Sequence, residues 1–87
     1  MLLNSAEIEQ ALVSLPEWST DGKSLRRTYV FDGFPEAIAF VNRLVAPAEA
    51  QGHHPDITVS YNRVTLCLTT HDAGGLTAKD PALARVL

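Results

Sequence analysis

The sequence predicts an α+β domain: a four-stranded antiparallel sheet with three helices on one face, in the order α-β-β-α-β-β-α. Two pairs of segments alternate between apolar and polar residues as strands do, and a turn signal joins each pair. Segments of helical periodicity precede, separate and follow these pairs. The chain has 87 residues, which is enough for one small core, so a single domain over residues 1–87 is expected.

Two of the predicted helices have clear start and stop signals. Asn4 and Glu7 have the spacing of a capping box at the start of the first helix, which is predicted over residues 4–14. The longest helix is predicted from Phe34 to about residue 51, with Gly52 as its C-terminal stop. Pro47 lies inside it and is expected to kink it, with a complete break as the alternative.

The last helix is predicted to begin at Thr77, after a glycine-containing loop. Asp80 follows three residues later and is the expected capping partner of Thr77. Pro81 is a small irregularity near the start of this helix.

Two hairpins account for the predicted sheet. In the first, a short strand around residues 18–20 leads through the turn Asp21-Gly22 to a longer strand over residues 25–31. In the second, residues 57–61 and 64–69 are joined by a turn at Asn62-Arg63. Aromatic and β-branched residues are frequent in these segments, which favours strands.

The second hairpin places two histidines together. With a two-residue turn at Asn62-Arg63, Tyr61 opposes Val64, and His54 then opposes His71. Directly opposed residues have Cβ atoms roughly 5 Å apart on one face of the sheet. The same register makes the other face uniformly apolar, and a slip of one residue would scramble it. We therefore expect the imidazoles of His54 and His71 to meet at one end of the hairpin.

Composition excludes several classes of function. The net charge is −3, and no basic patch is visible, which argues against a nucleic-acid partner. Cys67 is the only cysteine, so neither an intramolecular disulfide nor a cysteine-based zinc cluster is expected. No run approaches the roughly 18 apolar residues of a membrane helix, and no signal peptide is recognised. A cytoplasmic protein with no membrane partner is expected.

The three histidines suit either proton transfer or a metal. Glu49 and His53 are four residues apart and are expected to meet if the helix reaches that far. Histidine side chains gain and lose a proton near neutral pH, which suits them to general acid–base catalysis. This is the preferred interpretation. Together with Glu49 or Asp80 they have the chemistry of zinc or iron ligands, which is the alternative. Because the neighbours His53 and His54 point apart in an extended chain, the metal interpretation is weaker. A plain polar loop is the third alternative.

These residues resemble the pterin-4a-carbinolamine dehydratase family. The similarity is carried by Glu49, His53-His54-Pro55, Tyr61, His71 and Asp80 at the family's intervals, and by the segment over residues 70–77. The element order also matches along nearly the whole chain. Pro47, Pro81 and the early end at Leu87 depart from the family pattern, and none of them touches the motif.

The resemblance implies a reaction and a set of site residues. A 4a-hydroxytetrahydropterin, left by aromatic amino-acid hydroxylases, would lose water to give the quinonoid dihydropterin, with no cofactor and no metal. His53, His54 and His71 would be catalytic, with His54 and His71 the acid–base pair that the hairpin register favours. Glu49, Pro55 and Asp80 would support them or bind substrate. Tyr61 is expected to be a packing residue.

The resemblance also implies a homodimer or homotetramer. The resemblance leaves open two functions other than tetrahydropterin recycling. One is a non-enzymatic role as a dimerisation cofactor of a transcription factor. The other is action on a different pterin cofactor.

Overall fold

The structure, a computed structural model, describes residues 1–87. Its helices are α1 (Ser5–Val13), α2 (Phe34–Arg43), α3 (Val45–Gln51) and α4 (Lys79–Ala84). Its strands are β1 (Ser19–Thr20), β2 (Leu25–Val30), β3 (Asp56–Ser60) and β4 (Arg63–Leu68). A single 3₁₀ turn, His71–Ala73, lies between β4 and α4. The predicted order is confirmed, except that the long middle helix is divided at Leu44 into α2 and α3.

The four strands form one open antiparallel sheet in the order β1-β2-β4-β3. The helices cover one face, and the other face presents mostly polar side chains to solvent. None of the helices has both the length and the apolar content that a membrane span requires. The buried core cluster comprises Ile8, Leu15, Trp18, Leu25, Ala37, Leu44, Val64, Leu66, Leu68, Leu76, Leu83 and Ala84.

Helix α1 begins with the predicted capping box. The Glu7 backbone N–H donates to Asn4 Oδ1 at 2.8 Å, and the Asn4 backbone N–H donates to Glu7 Oε1 at 2.9 Å. Two of the amide groups that a helix start leaves without intrahelical partners are therefore satisfied.

The long helical segment is broken at Leu44, so the alternative expectation for Pro47 is the correct one. Pro47 falls in the first turn of α3, where its missing N–H leaves no helical hydrogen bond unmade. Gly52 ends α3 as predicted, with a left-handed backbone at φ 60°. The N–H of His53 donates to the Ala48 carbonyl, which completes a Schellman motif. The chain therefore turns sharply just before its paired histidines.

The predicted register of the second hairpin is wrong by two residues. Val59 pairs with Val64 and Ile57 with Leu66, so the turn residues are Tyr61 and Asn62. Asn62 is held by the end of β2: Phe31 N–H donates to its carbonyl, and its Nδ2 donates to the Phe31 carbonyl. Because the shift is an even number of residues, the apolar side chains keep their predicted face.

The hydroxyl of Tyr29 is the one buried side-chain polar atom without a hydrogen-bond partner. Its ring packs against Phe40 at 4.5 Å between centroids, and the Arg27 guanidinium lies 4.2 Å from the ring centre. Burial raises the pKa of the Tyr29 phenol, and the charge of Arg27 partly opposes this shift.

We expect Tyr29→Phe to keep or increase stability, by up to about 1 kcal/mol, because it removes a desolvated hydroxyl that makes no bond. Urea unfolding followed by circular dichroism measures the change. Thr28→Val is the control on the same strand. It removes a hydroxyl that does pair, with Thr65 Oγ1 at 3.0 Å, and is expected to lower stability. A clear loss of stability in Tyr29→Phe would show that its hydroxyl has a partner.

Candidate active site

All three histidines of the chain line one polar depression. It lies where the turn after α3, the end of β4 and the start of α4 come together, and its volume is about 210 Å³. The structure thus brings His54 and His71 to one concavity, although the register that predicted their approach is displaced. No lining residue is hydrophobic: the lining comprises Gly52, His53, His54, Thr69, Thr70, His71, Asp72 and Lys79.

The first histidine is held by a buried carboxylate. His53 Nε2 lies 2.5 Å from Asp80 Oδ1, in hydrogen-bond contact. The His53 side chain is 11% exposed and that of Asp80 is fully buried, at 0%. A buried carboxylate needs hydrogen-bond donors, and an imidazole N–H supplies one here. Asp80, at the start of α4, therefore contacts the site through His53.

The second histidine, His54, contacts Glu49, the carboxylate that the sequence pairs with His53. Glu49 Oε2 lies 2.5 Å from His54 Nε2, and both side chains are largely exposed, at 68% and 63%. The predicted contact of Glu49 with His53 is wrong. The left-handed residue Gly52 ends the helix before position 53, so the four-residue helical spacing no longer applies.

The third histidine also has a carboxylate nearby, which the sequence interpretation missed. His71 Nε2 lies 3.6 Å from Asp56 Oδ2, and both side chains are exposed. At this distance the two groups form an ion pair when the imidazole is protonated. Asp56 follows the His53-His54-Pro55 run directly, and this adjacency was the only signal for it in the sequence.

Two threonines complete the surroundings of Asp80. Thr70 Oγ1 and the Thr77 backbone N–H both donate to Asp80 Oδ2, each at 2.9 Å. The second bond is half of the predicted capping box; the other half is absent, because Thr77 Oγ1 accepts from the Lys79 N–H. Both threonines are buried. They begin and end the segment over residues 70–77 that resembles the family, although the sequence predicts no site role for the Thr70 side chain.

Pro55 and Tyr61 differ in their relation to the depression. Pro55 lies beside it, with Glu49 and His54, in a second and more apolar depression of about 190 Å³. Tyr61 lies in the β3–β4 turn with a left-handed backbone at φ 52°, and it is 67% exposed. The expectation that Tyr61 is a packing residue is wrong, because the register shift moved it from the strand into the turn.

The acidic and imidazole groups of the site form pairs rather than one cluster. His53 faces Asp80, His54 faces Glu49 and His71 faces Asp56. No three histidine, cysteine or acidic side chains lie close enough together to hold a metal ion. The arrangement suits proton transfer at several points around one small ligand. It defines an α+β protein in which three histidines, each beside a carboxylate, line one polar depression.

Comparison with known proteins identifies the family. The chain matches the family described as "Pterin 4 alpha carbinolamine dehydratase" over residues 1–87, and it belongs to this family. It is 56% identical to a Thermosynechococcus vestitus protein named "Putative pterin-4-alpha-carbinolamine dehydratase", over 98% of this chain and 90% of that protein. A Thermomicrobium roseum protein of the same name is also 56% identical, over 98% of this chain and 91% of the relative.

Solved structures share the fold. A transcriptional coactivator/pterin dehydratase from Brucella melitensis superposes with a TM-score of 0.90 at 34% identity, over 99% of this chain and 94% of that one. A pterin dehydratase-like protein identified as a RuBisCO assembly factor in the alpha-carboxysome gives a TM-score of 0.62 at 21% identity, over 79% and 80%. The second likeness concerns the fold alone.

Proposed function

We propose that this protein is a hydro-lyase that removes water from a 4a-hydroxytetrahydropterin and releases the quinonoid dihydropterin. The observation that carries the proposal is the convergence of three histidines, each beside a carboxylate, on one polar depression. Membership of the dehydratase family supports the choice of substrate. The reaction belongs to the recycling of tetrahydropterin after an aromatic amino-acid hydroxylase has used it, and we place it in the cytoplasm.

The chemistry requires one proton donor and one proton acceptor. A general acid protonates the 4a hydroxyl, the carbon–oxygen bond breaks, and water leaves. A general base takes the proton from the adjacent ring nitrogen, whose electrons form the new carbon–nitrogen double bond. Proton uptake and release balance, so the enzyme ends each turnover with the same number of protons and the net change is the loss of water.

We assign the acid and the base to His54 and His71. Their side chains are exposed at the depression, so both rings are accessible to a bound pterin. Glu49 and Asp56 each present a carboxylate oxygen to the ring that they face, at 2.5 Å from His54 Nε2 and 3.6 Å from His71 Nε2. A pair that works in opposite protonation states gives a rate that passes through a maximum with pH.

His53 has a different environment and therefore a different proposed role. Its ring is mostly buried and held by Asp80, so it presents a fixed edge to the depression. A rigid polar group of this kind orients a flat ligand and serves the neighbouring acid–base pair. Pro55, between the polar and the apolar depression, shapes the wall beside His54.

A purely interactional role is the competing proposal, since one solved relative is named a coactivator as well as a dehydratase. Binding a protein partner does not require three histidine–carboxylate pairs around a depression. Their presence favours the enzyme.

Turnover of a synthetic carbinolamine, followed by ultraviolet absorbance in a stopped-flow instrument, tests the proposal. We expect dehydration faster than the enzyme-free rate, with full activity after exhaustive chelation. Cys67→Ser is expected to leave the rate unchanged, because no role is assigned to the thiol. A rate equal to the enzyme-free rate would overturn the proposed activity. Activity that is lost with chelator and restored by zinc or iron would require a metal mechanism.

We further propose that the protein associates at least into a dimer. Strand β3 lies at an edge of the sheet with one side unpaired, and edge strands invite pairing with another chain. Val45 and Ile57 are exposed apolar side chains that line the second depression next to this edge.

Sedimentation at micromolar concentration is expected to show a dimer or tetramer. Val45→Glu should shift it towards the monomer, because a charge in an apolar contact is costly to desolvate. Val13→Glu, at an exposed position on α1, is the matched control and should leave the assembly unchanged. A monomeric wild-type protein would refute the association.

A further inference from the structure

Two threonine hydroxyls behind the depression form a hydrogen-bonded chain that ends on Asp80. Thr70 has a single hydroxyl proton, and it is directed at Asp80 Oδ2 at 2.9 Å. The contact of 2.8 Å between the hydroxyls of Thr70 and Thr77 must then be donated by Thr77. The chain of donors therefore runs from Thr77 through Thr70 to Asp80.

The two carboxylate oxygens of Asp80 have different hydrogen-bond partners. Oδ2 receives the Thr70 hydroxyl and the Thr77 backbone N–H, whereas Oδ1 has the His53 ring as its partner. A carboxylate with both oxygens occupied in this way cannot rotate without breaking at least two hydrogen bonds. All members are buried or nearly so, and buried hydrogen bonds of this kind are costly to leave unmade.

The position of Thr70 is itself set by the backbone. Its N–H donates to the Gly75 carbonyl at 3.0 Å, and its carbonyl accepts from the N–H groups of Ala73 and Gly74. These hydrogen bonds close the loop that carries His71 onto Thr70. Thr70 therefore lines the depression and also contacts Asp80 behind it.

We propose that Thr70 is a positioning residue that acts through Asp80 on His53. By holding Asp80 Oδ2, it keeps Oδ1 directed at His53 Nε2. Because a carboxylate only accepts hydrogen bonds, the proton of the neutral His53 ring then stays on Nε2 and Nδ1 is the unprotonated nitrogen. The ring is held in one tautomer and one orientation before any ligand binds. This inference rests on the proposed dehydratase function for its kinetic consequence, but not for its structural one.

The structural test is the long-range ¹H–¹⁵N correlation spectrum of the ligand-free protein, at a pH at which the His53 ring is neutral. The wild-type protein is expected to show His53 protonated on Nε2. Thr70→Val removes the hydroxyl at nearly constant volume, so Asp80 keeps only one of the two donors to Oδ2 and can turn away from His53. The loss of this fixed acceptor should give a mixture of tautomers. Thr70→Ser restores the donor and should return the wild-type spectrum, whereas Thr70→Cys, with its weaker donor, should be intermediate.

The kinetic test uses the same variants. Thr70→Val is expected to lower kcat by roughly 10- to 100-fold with little change in KM, the range seen when an outer partner of a site histidine is lost. Thr70→Ser should recover the rate. Thr65→Val is the matched control, because it removes a paired threonine hydroxyl on the opposite, open face of the sheet and should change neither tautomer nor kcat.

Two results would overturn the proposal: a wild-type His53 protonated on Nδ1, or a Thr70→Val protein that keeps both the wild-type tautomer and the wild-type kcat. The wild-type spectrum and Thr70→Cys decide the matter if Thr70→Val does not fold. If the wild-type protein has no dehydratase activity, the spectra still test the role of Thr70, so the two proposals fail separately.

Discussion

Replacing Asp80 by asparagine is expected to lower kcat by roughly 100-fold, at the upper end of the losses seen when a partner that orients a site histidine is removed. The Asn side chain can still accept from Thr70 and from the Thr77 N–H with its oxygen. Its NH₂ group then faces His53, which must accept a hydrogen bond on Nε2 instead of donating one. The His53 ring is forced into the other tautomer. The site then keeps its shape, but the ring proton lies on Nδ1 instead of Nε2.

Asp80→Ala separates stability from activity. It removes the acceptor from three buried or nearly buried donors, on His53, Thr70 and Thr77. We expect a loss of about 3–5 kcal/mol in the free energy of unfolding, as for breaking a buried pair by removal of one partner. Urea titration measures this loss, and stopped-flow turnover of Asp80→Asn measures the rate.

Asp32→Asn is the matched control for both measurements, because Asp32 is exposed and the charge change is the same. We expect it to change stability by no more than about 0.5 kcal/mol, as at other exposed sites, and to leave kcat unaltered. Wild-type turnover in Asp80→Asn would show that the orientation of His53 is irrelevant to the reaction.

The second large effect concerns the acid–base pair. His54→Ala and His71→Ala are each expected to lower the rate by roughly 10²–10⁴-fold, the usual contribution of one proton-transfer group. Each variant should also flatten one limb of the dependence of rate on pH, because one of the two titrating groups is gone. The enzyme-free rate must be subtracted, since the uncatalysed dehydration is already facile.

Stability distinguishes these variants from those at Asp80. His54 and His71 are exposed at 63% and 73%, so their removal should change the free energy of unfolding by less than about 0.5 kcal/mol. Cys67→Ser is the control and should keep both the rate and the shape of the pH profile. If both alanine variants retain the wild-type rate and profile, the proposed mechanism is wrong, whatever the family of the chain.

The sequence by itself determined those features that depend on residues close together in the chain. Asn4 and Glu7 form their capping box because the partners lie within one helical turn. Gly52 ends α3 because only a residue that tolerates positive φ ends a helix in this way. The family motif likewise specified which histidines and acidic residues to expect, because it is a pattern of identities and intervals.

Tertiary structure decided how those residues pair. The hairpin register differs from the predicted one by two residues, and in the observed turn Asn62 is hydrogen-bonded to Phe31, directly after β2, a contact that no local pattern encodes. Glu49 meets His54 rather than His53 because the turn at Gly52 redirects the chain. The role of Thr70 depends on a carboxylate ten residues away that α4 brings beneath the depression. Such hydrogen bonds form only when packing brings distant segments together, and residue spacing along the chain does not specify that packing.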